Sequence, residues 1–153
     1  MTIASVWFGA LGVFAAIGAL FDAIARRLPN LLCAAMLIAG LVLAFMGDGL
    51  SALGLHFVHA LLALGIGYLL FLAGIFGGGD GKFYAATAAF FPLANLPGLI
   101  VAITAAGFVL AVLWFSAKKV SRKLRETKGD FAKLPYGVAI AAGAITFAGL
   151  ATP

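Results

Sequence analysis

Residues 83–117 read FYAATAAFFPLANLPGLIVAITAAGFVLAVLWFSA, 35 positions without a charged side chain. A helix that crosses a bilayer needs about 20 apolar residues. This run is therefore too long for one ordinary span and barely long enough for two. Its middle holds Pro92-Leu93-Ala94-Asn95-Leu96-Pro97-Gly98. Two prolines, an asparagine and a glycine in so short a stretch read as a turn. The run predicts two helices, at about 81–93 and 98–117.

Working outward, the same reasoning parses the rest of the chain. Downstream, a polar segment at 118–133 leads to Pro135, which opens a last helix ending near Leu150. Upstream, Gly77, Gly78 and Gly79 precede Asp80, and a helix is expected at about 54–75 before them. Gly47-Asp48-Gly49 ends another at 31–46. Pro29 disfavours helix in itself and in Leu28 before it, so the chain turns within 22–30. The first run, 1–21, lacks the positive n-region of a signal peptide and reads as a retained span. The expected fold is a single domain over 1–153, an all-α integral membrane protein with six transmembrane helices.

Charge gives an independent check. With the amino terminus outside, the inner connections are 22–30, 77–82 and 118–133. They hold Arg26, Arg27, Lys82, Lys118, Lys119, Arg122, Lys123, Arg125, Lys128 and Lys133, which are all 10 lysines and arginines. The connections near Asp48 and Asn95 have none. This is the positive-inside pattern, and it puts both termini outside. A single span over 83–117 would place Lys82 and the basic segment on opposite faces. Composition agrees: 65% of residues are hydrophobic, 10% are charged, and mean hydropathy is +1.19. A soluble domain carries about 25% charged residues. The net charge of +5 is explained by membrane orientation and does not call for nucleic acid. The basic segment at 118–128 is an orientation signal or a contact for anionic membrane lipid. Cys33, the one cysteine, forms no internal disulfide and no cysteine zinc site, and reads as a packing residue.

Three carboxylates lie near the helices: Asp22, Asp48 and Asp80. Glu126 and Asp130 sit in the polar segment. The topology puts Asp22 and Asp80 at one inner depth and Asp48 in a turn on the other face. Ionisable groups at membrane depth are expensive and usually functional. Two aspartates at one depth can share a proton and activate water as an aspartic-protease dyad. They can also act as helix caps, or serve a small proton-coupled membrane transporter. Transporter sites lie near the bilayer midplane, whereas these acids sit at one interface. His56 and His59 share a helix face, but two ligands are too few for a metal, and interfacial or packed histidines fit better. No metal or organic cofactor is expected. Lys82 either serves the Asp80 site or anchors the inner face, and Asn30 either joins helix ends or lines the site.

Three blocks carry a resemblance. The first is Asp22 followed by Arg27-Leu28-Pro29-Asn30. The second is Gly77-x-Gly79-Asp80-x-Lys82. The third is Leu134-Pro135-Tyr136-Gly137-Val138. Together they resemble the type IV prepilin peptidases, GxGD membrane aspartic proteases of peptidase group A24, and among them the short form of the Flp/Tad pilus systems. The family reads Pro-Tyr-Gly-Pro in the third block, where this chain has Val138. The resemblance implies catalysis by Asp22 and Asp80. It also sets Arg27, Pro29, Asn30, Gly77, Gly79, Lys82, Pro135, Tyr136 and Gly137 near them. It implies hydrolase activity on a prepilin, here an Flp-type pilin precursor, cut after a basic leader at the cytoplasmic face of the bacterial inner membrane. Larger relatives carry a methyltransferase segment with paired cysteines; this chain has neither, so N-methylation is not implied.

Overall fold

A computed structural model describes residues 2–120 and 134–151. The expected polar connection therefore lies outside the described residues from 121 to 133. Among the described residues five α-helices follow in order: α1 (Ile3–Ala25), α2 (Asn30–Leu72), α3 (Gly78–Ala88), α4 (Leu96–Val120) and α5 (Tyr136–Ala151). A 3-10 turn, Leu93–Asn95, leads into α4. There is no strand among the described residues.

The 43 residues of α2 are about twice a span, and they are not straight. Asp48 (φ −127°, ψ 19°) and Gly49 (φ 72°, ψ −154°) leave helical geometry. Gly40 before the break and His56 after it both meet Ala89. A straight helix would separate Gly40 from His56 by about 24 Å. Likewise Asn30 reaches Lys82 while Gly67 abuts Gly81. The chain thus folds back at Asp48-Gly49, and the two halves flank α3. Gly49 supplies the positive φ that a side chain would resist. The expected break at 47–49 is present, with the second helix beginning directly after it rather than near 54.

Pro92 and Pro97 act as anticipated. Regular helix stops at Ala88, and Pro92 starts the 3-10 turn that hands over to α4. The first of the two helices expected in 83–117 is shorter and earlier than its predicted bounds, because Gly77 rather than Asp80 caps it. Residues 83–91 of α3 and its exit are all buried. They lie under both halves of α2, with α1 and α5 against them. Close approach here needs small residues. A Cβ on Gly67 would lie 2.6 Å from the Gly81 Cα, so neither glycine tolerates a side chain. Such contacts are how helices pack where lipid removes the hydrophobic drive. Phe83, Phe90, Phe91, Leu11, Met36, Leu99 and Ile140 fill the remaining interior.

The outside is apolar instead. Leu31 is 81% exposed, Phe108 70% and Val101 67%. In water so much exposed apolar surface would drive aggregation; toward lipid it has no cost. Three helical segments are long and apolar enough to cross a membrane: Ile3–Ala25, Asn30–Leu72 and Leu93–Val120. Helix α5 is a shorter apolar helix of 16 residues, and α3 has only 11.

Candidate active site

Asp22 occupies the last full turn of α1 and is 6% exposed. A buried carboxylate needs donors, and the donor comes from the far end of the sequence. The Gly137 N–H, in the first turn of α5, donates to Asp22 Oδ2 at 2.7 Å. The amides at a helix N-terminus are unsatisfied and carry partial positive charge, which favours an anion there. The approach depends on Gly137 having no side chain, since a Cβ would fall 2.8 Å from Asp22 Cβ. Pro135 is buried just ahead, and its carbonyl accepts from the Val138 N–H at 3.2 Å, closing the turn that starts α5. Val138, where the resembled pattern has proline, leaves that turn formed.

Asp80 sits in the first turn of α3. Its Oδ2 accepts from the Gly77 N–H at 2.9 Å, and its own N–H donates to the Gly77 carbonyl at 3.0 Å. Both aspartates are thus held by amides at helix starts, Asp80 on its own helix and Asp22 on another. Burial pushes the Asp80 carboxyl up to about 6. The Gly77 amide opposes that rise, the Asp22 carboxylate adds to it, and the Arg26 guanidinium opposes it.

The three sequence blocks converge on one cavity of about 890 Å3. Asp22, Asp80, Arg27, Asn30, Gly77, Gly79, Lys82 and Tyr136 all line it. Lys82 Nζ donates to Asn30 Oδ1 at 3.0 Å, which ties the start of α3 to the start of α2. Gly79 lets Leu28 close in; a Cβ there would be 3.2 Å from Leu28 Cβ. Tyr136 packs against Phe76 with the rings tilted, their centroids 5.2 Å apart. Pro29, Pro135 and Gly137 stand behind the lining. Pro29 caps α2 in extended geometry, and its carbonyl accepts from the Cys33 N–H. Cys33 is buried as a packing residue.

Sequence reasoning did not single out Arg26, Trp114 or Phe71 as site residues, yet all three line the cavity. Arg26 had a signal, lying one helical turn after Asp22. The aromatic residues had none, because an exposed-face pattern looks the same on a helix that meets lipid and on one that borders a cavity. Asp48, His56 and Asn95 border a different cavity, of about 610 Å3. His56 Nδ1 lies 2.8 Å from the Ala89 carbonyl, and His59 Nδ1 lies 2.9 Å from the Phe91 carbonyl. Since a carbonyl can only accept, each Nδ1 carries the proton. The histidines are packed residues that close the end of α3.

The fold and the site define an all-helical membrane protein with two aspartates facing one cavity between helix ends. The chain belongs to the type IV leader peptidase family, which its residues 7–116 match. Membership makes it a peptidase acting on a protein substrate. The matched stretch contains Asp22, Asp80 and the first two blocks; the third block lies beyond it and joins the site through the Gly137–Asp22 hydrogen bond. No curated protein and no solved structure matched.

Proposed function

We propose that this protein is an aspartic endopeptidase of the bacterial inner membrane that removes the basic leader of prepilins, Flp-type precursors among them, at the cytoplasmic face. It would cross the bilayer six times with both termini outside. The observation that carries the reading is the meeting of Asp22 and Asp80 at one cavity, each held by a helix-start amide. Two such carboxyls resist joint ionisation and share a proton. The ionised member takes a proton from water, whose oxygen attacks the scissile carbonyl carbon. The protonated member gives its proton to the carbonyl oxygen, and the tetrahedral adduct collapses as the leaving amine gains a proton from the pair. This chemistry requires no metal and no organic cofactor. Arg27, Lys82 and Asn30 border the cavity where the substrate backbone would enter.

Co-expression with a candidate prepilin tests the reading: a product shortened by its leader is expected. Proton uptake by vesicles containing the protein, with no cleavage of any prepilin, would instead mark a proton-coupled transporter. The six-span topology has its own check. In a variant lacking Cys33, single cysteines at Asn95 and Lys119 should label from opposite faces; labelling from one face overturns it.

A further inference from the structure

We propose that Arg26 is a positioning residue that holds a fixed positive charge against the Asp22/Asp80 pair, with Trp114 as the platform that keeps it in place. The inference rests on the reading of that pair as the reacting group.

Arg26 is the C-cap of α1 and has φ 53°, ψ 28°. Among the described residues it is the only non-glycine with positive φ. Helices commonly end on such a residue, but the residue is usually glycine, because a side chain there is strained by about 1 kcal/mol or more. A strained arginine where glycine would fit without cost points to a use for its side chain. The left-handed turn lets the Arg26 N–H donate to the Asp22 carbonyl at 3.2 Å. The guanidinium lies over the Trp114 ring of α4, 5.1 Å from its centroid, and Lys118 Nζ lies 5.5 Å from the same ring. Cation–π contacts of this kind are stronger where water is scarce.

The platform fixes the cation at the cavity wall that Asp22 and Asp80 share, where its charge opposes the rise at Asp80. Among the described residues, the charged or titratable groups around the cavity are Asp22 on α1, Arg26 and Arg27 just after it, Asp80 and Lys82 on α3, and Tyr136 at the start of α5. Lys118 on α4 adds a second cation at the Trp114 ring. Lys82 is directed to Asn30. Burial favours the protonated form of each carboxyl. A fixed cation biases the pair toward sharing one proton, the state that hydrolysis uses.

The test compares wild type with Arg26→Gly, Arg26→Lys, Trp114→Leu and, as an exposed control, Lys119→Gln. Glycine suits the left-handed backbone, so Arg26→Gly keeps the fold while removing the charge. Two readouts are taken: the pH profile of kcat/KM on a prepilin, and the Asp80 carboxyl titration by infrared spectroscopy with labelled aspartate. Arg26→Gly should move both limbs of the profile and the Asp80 titration upward by about one pH unit, a tenfold change in proton affinity. Trp114→Leu should shift them in the same direction by less, and Arg26→Lys less again. Lys119→Gln should leave them in place. Equal loss of cleavage at every pH, with the Asp80 titration unmoved, overturns the proposal and leaves Arg26 a structural cap. The titration reads the proposal even if no prepilin is cleaved, so failure of the peptidase reading is seen separately.

Discussion

Two ends of the same bundle carry titratable side chains, and they use them in opposite ways. At the Asp48 end, the His56 and His59 Nδ1–H groups donate to the carbonyls that follow the end of α3, Ala89 and Phe91. A helix end leaves such carbonyls unsatisfied, and in a buried position each needs a partner. There the polar side chains serve the backbone. At the Asp22 end the direction reverses: backbone amides of Gly77 and Gly137 serve the side chains. Carboxylates supported from behind remain free to face a cavity of about 890 Å3. Buried polarity therefore does not by itself mark a functional site. The distinguishing sign is which partner is the support and which is presented to the cavity.

The comparison breaks most sharply on the aspartates. Asp22→Asn and Asp80→Asn should each lower cleavage by about 10³-fold or more, and the double variant should be scarcely worse, because parts of one catalytic unit are not additive. Asp48→Asn should turn over close to wild type. Comparable losses from Asp48→Asn and Asp22→Asn would erase the difference between the two ends. A prepilin cleavage assay on correctly inserted protein reads all four.

A smaller effect is expected from the support. Gly137→Ala places a methyl group against Asp22, so the carboxylate must shift. Misplacement of a reacting group by about 1 Å costs on the order of 10²-fold in rate. Gly54→Ala, with no heavy atom within 4 Å of the added Cβ, should leave turnover unchanged. Equal rates in both variants would show that the α5 amide does not position Asp22. The smallest effect on turnover belongs to the histidine end. His59→Phe leaves the Phe91 carbonyl without its partner and should destabilise the protein by about 1–3 kcal/mol. Thermal unfolding in detergent measures that. The pH profile of cleavage should not move, and a shifted profile would assign His59 to the chemistry.

Much of this arrangement was legible in the residues. Pro92, Pro97 and Gly98 divided the long apolar run because proline and glycine act on their own backbone, whatever surrounds them. The Asp48-Gly49 reversal was legible for the same reason. Charge asymmetry led to the expectation that Asp22 and Asp80 share a depth; that they line one cavity is a matter of packing. The blocks around the two aspartates named Gly77, Gly79 and Gly137, but their work was hidden. Gly137 matters through a hydrogen bond to a residue 115 positions away, and no local signal encodes a partner so distant. Arg26 was counted only as a charge, because its left-handed backbone is imposed by the end of α1. Trp114 is one of many aromatics in the sequence, and only the packed structure puts it under a guanidinium.

The central claim is that Asp22 and Asp80 behave as one unit, and the titration of Asp80 tests it most directly. Labelled-aspartate infrared spectra across pH should place the wild-type Asp80 carboxyl near 6, where burial and the neighbouring Asp22 carboxylate push it. In Asp22→Asn the neighbouring negative charge is gone, so the Asp80 midpoint should fall, though only part of the way, because burial remains the larger cause. An Asp80 midpoint that is the same in wild type and Asp22→Asn would contradict the account, for the two carboxyls would then not sense each other.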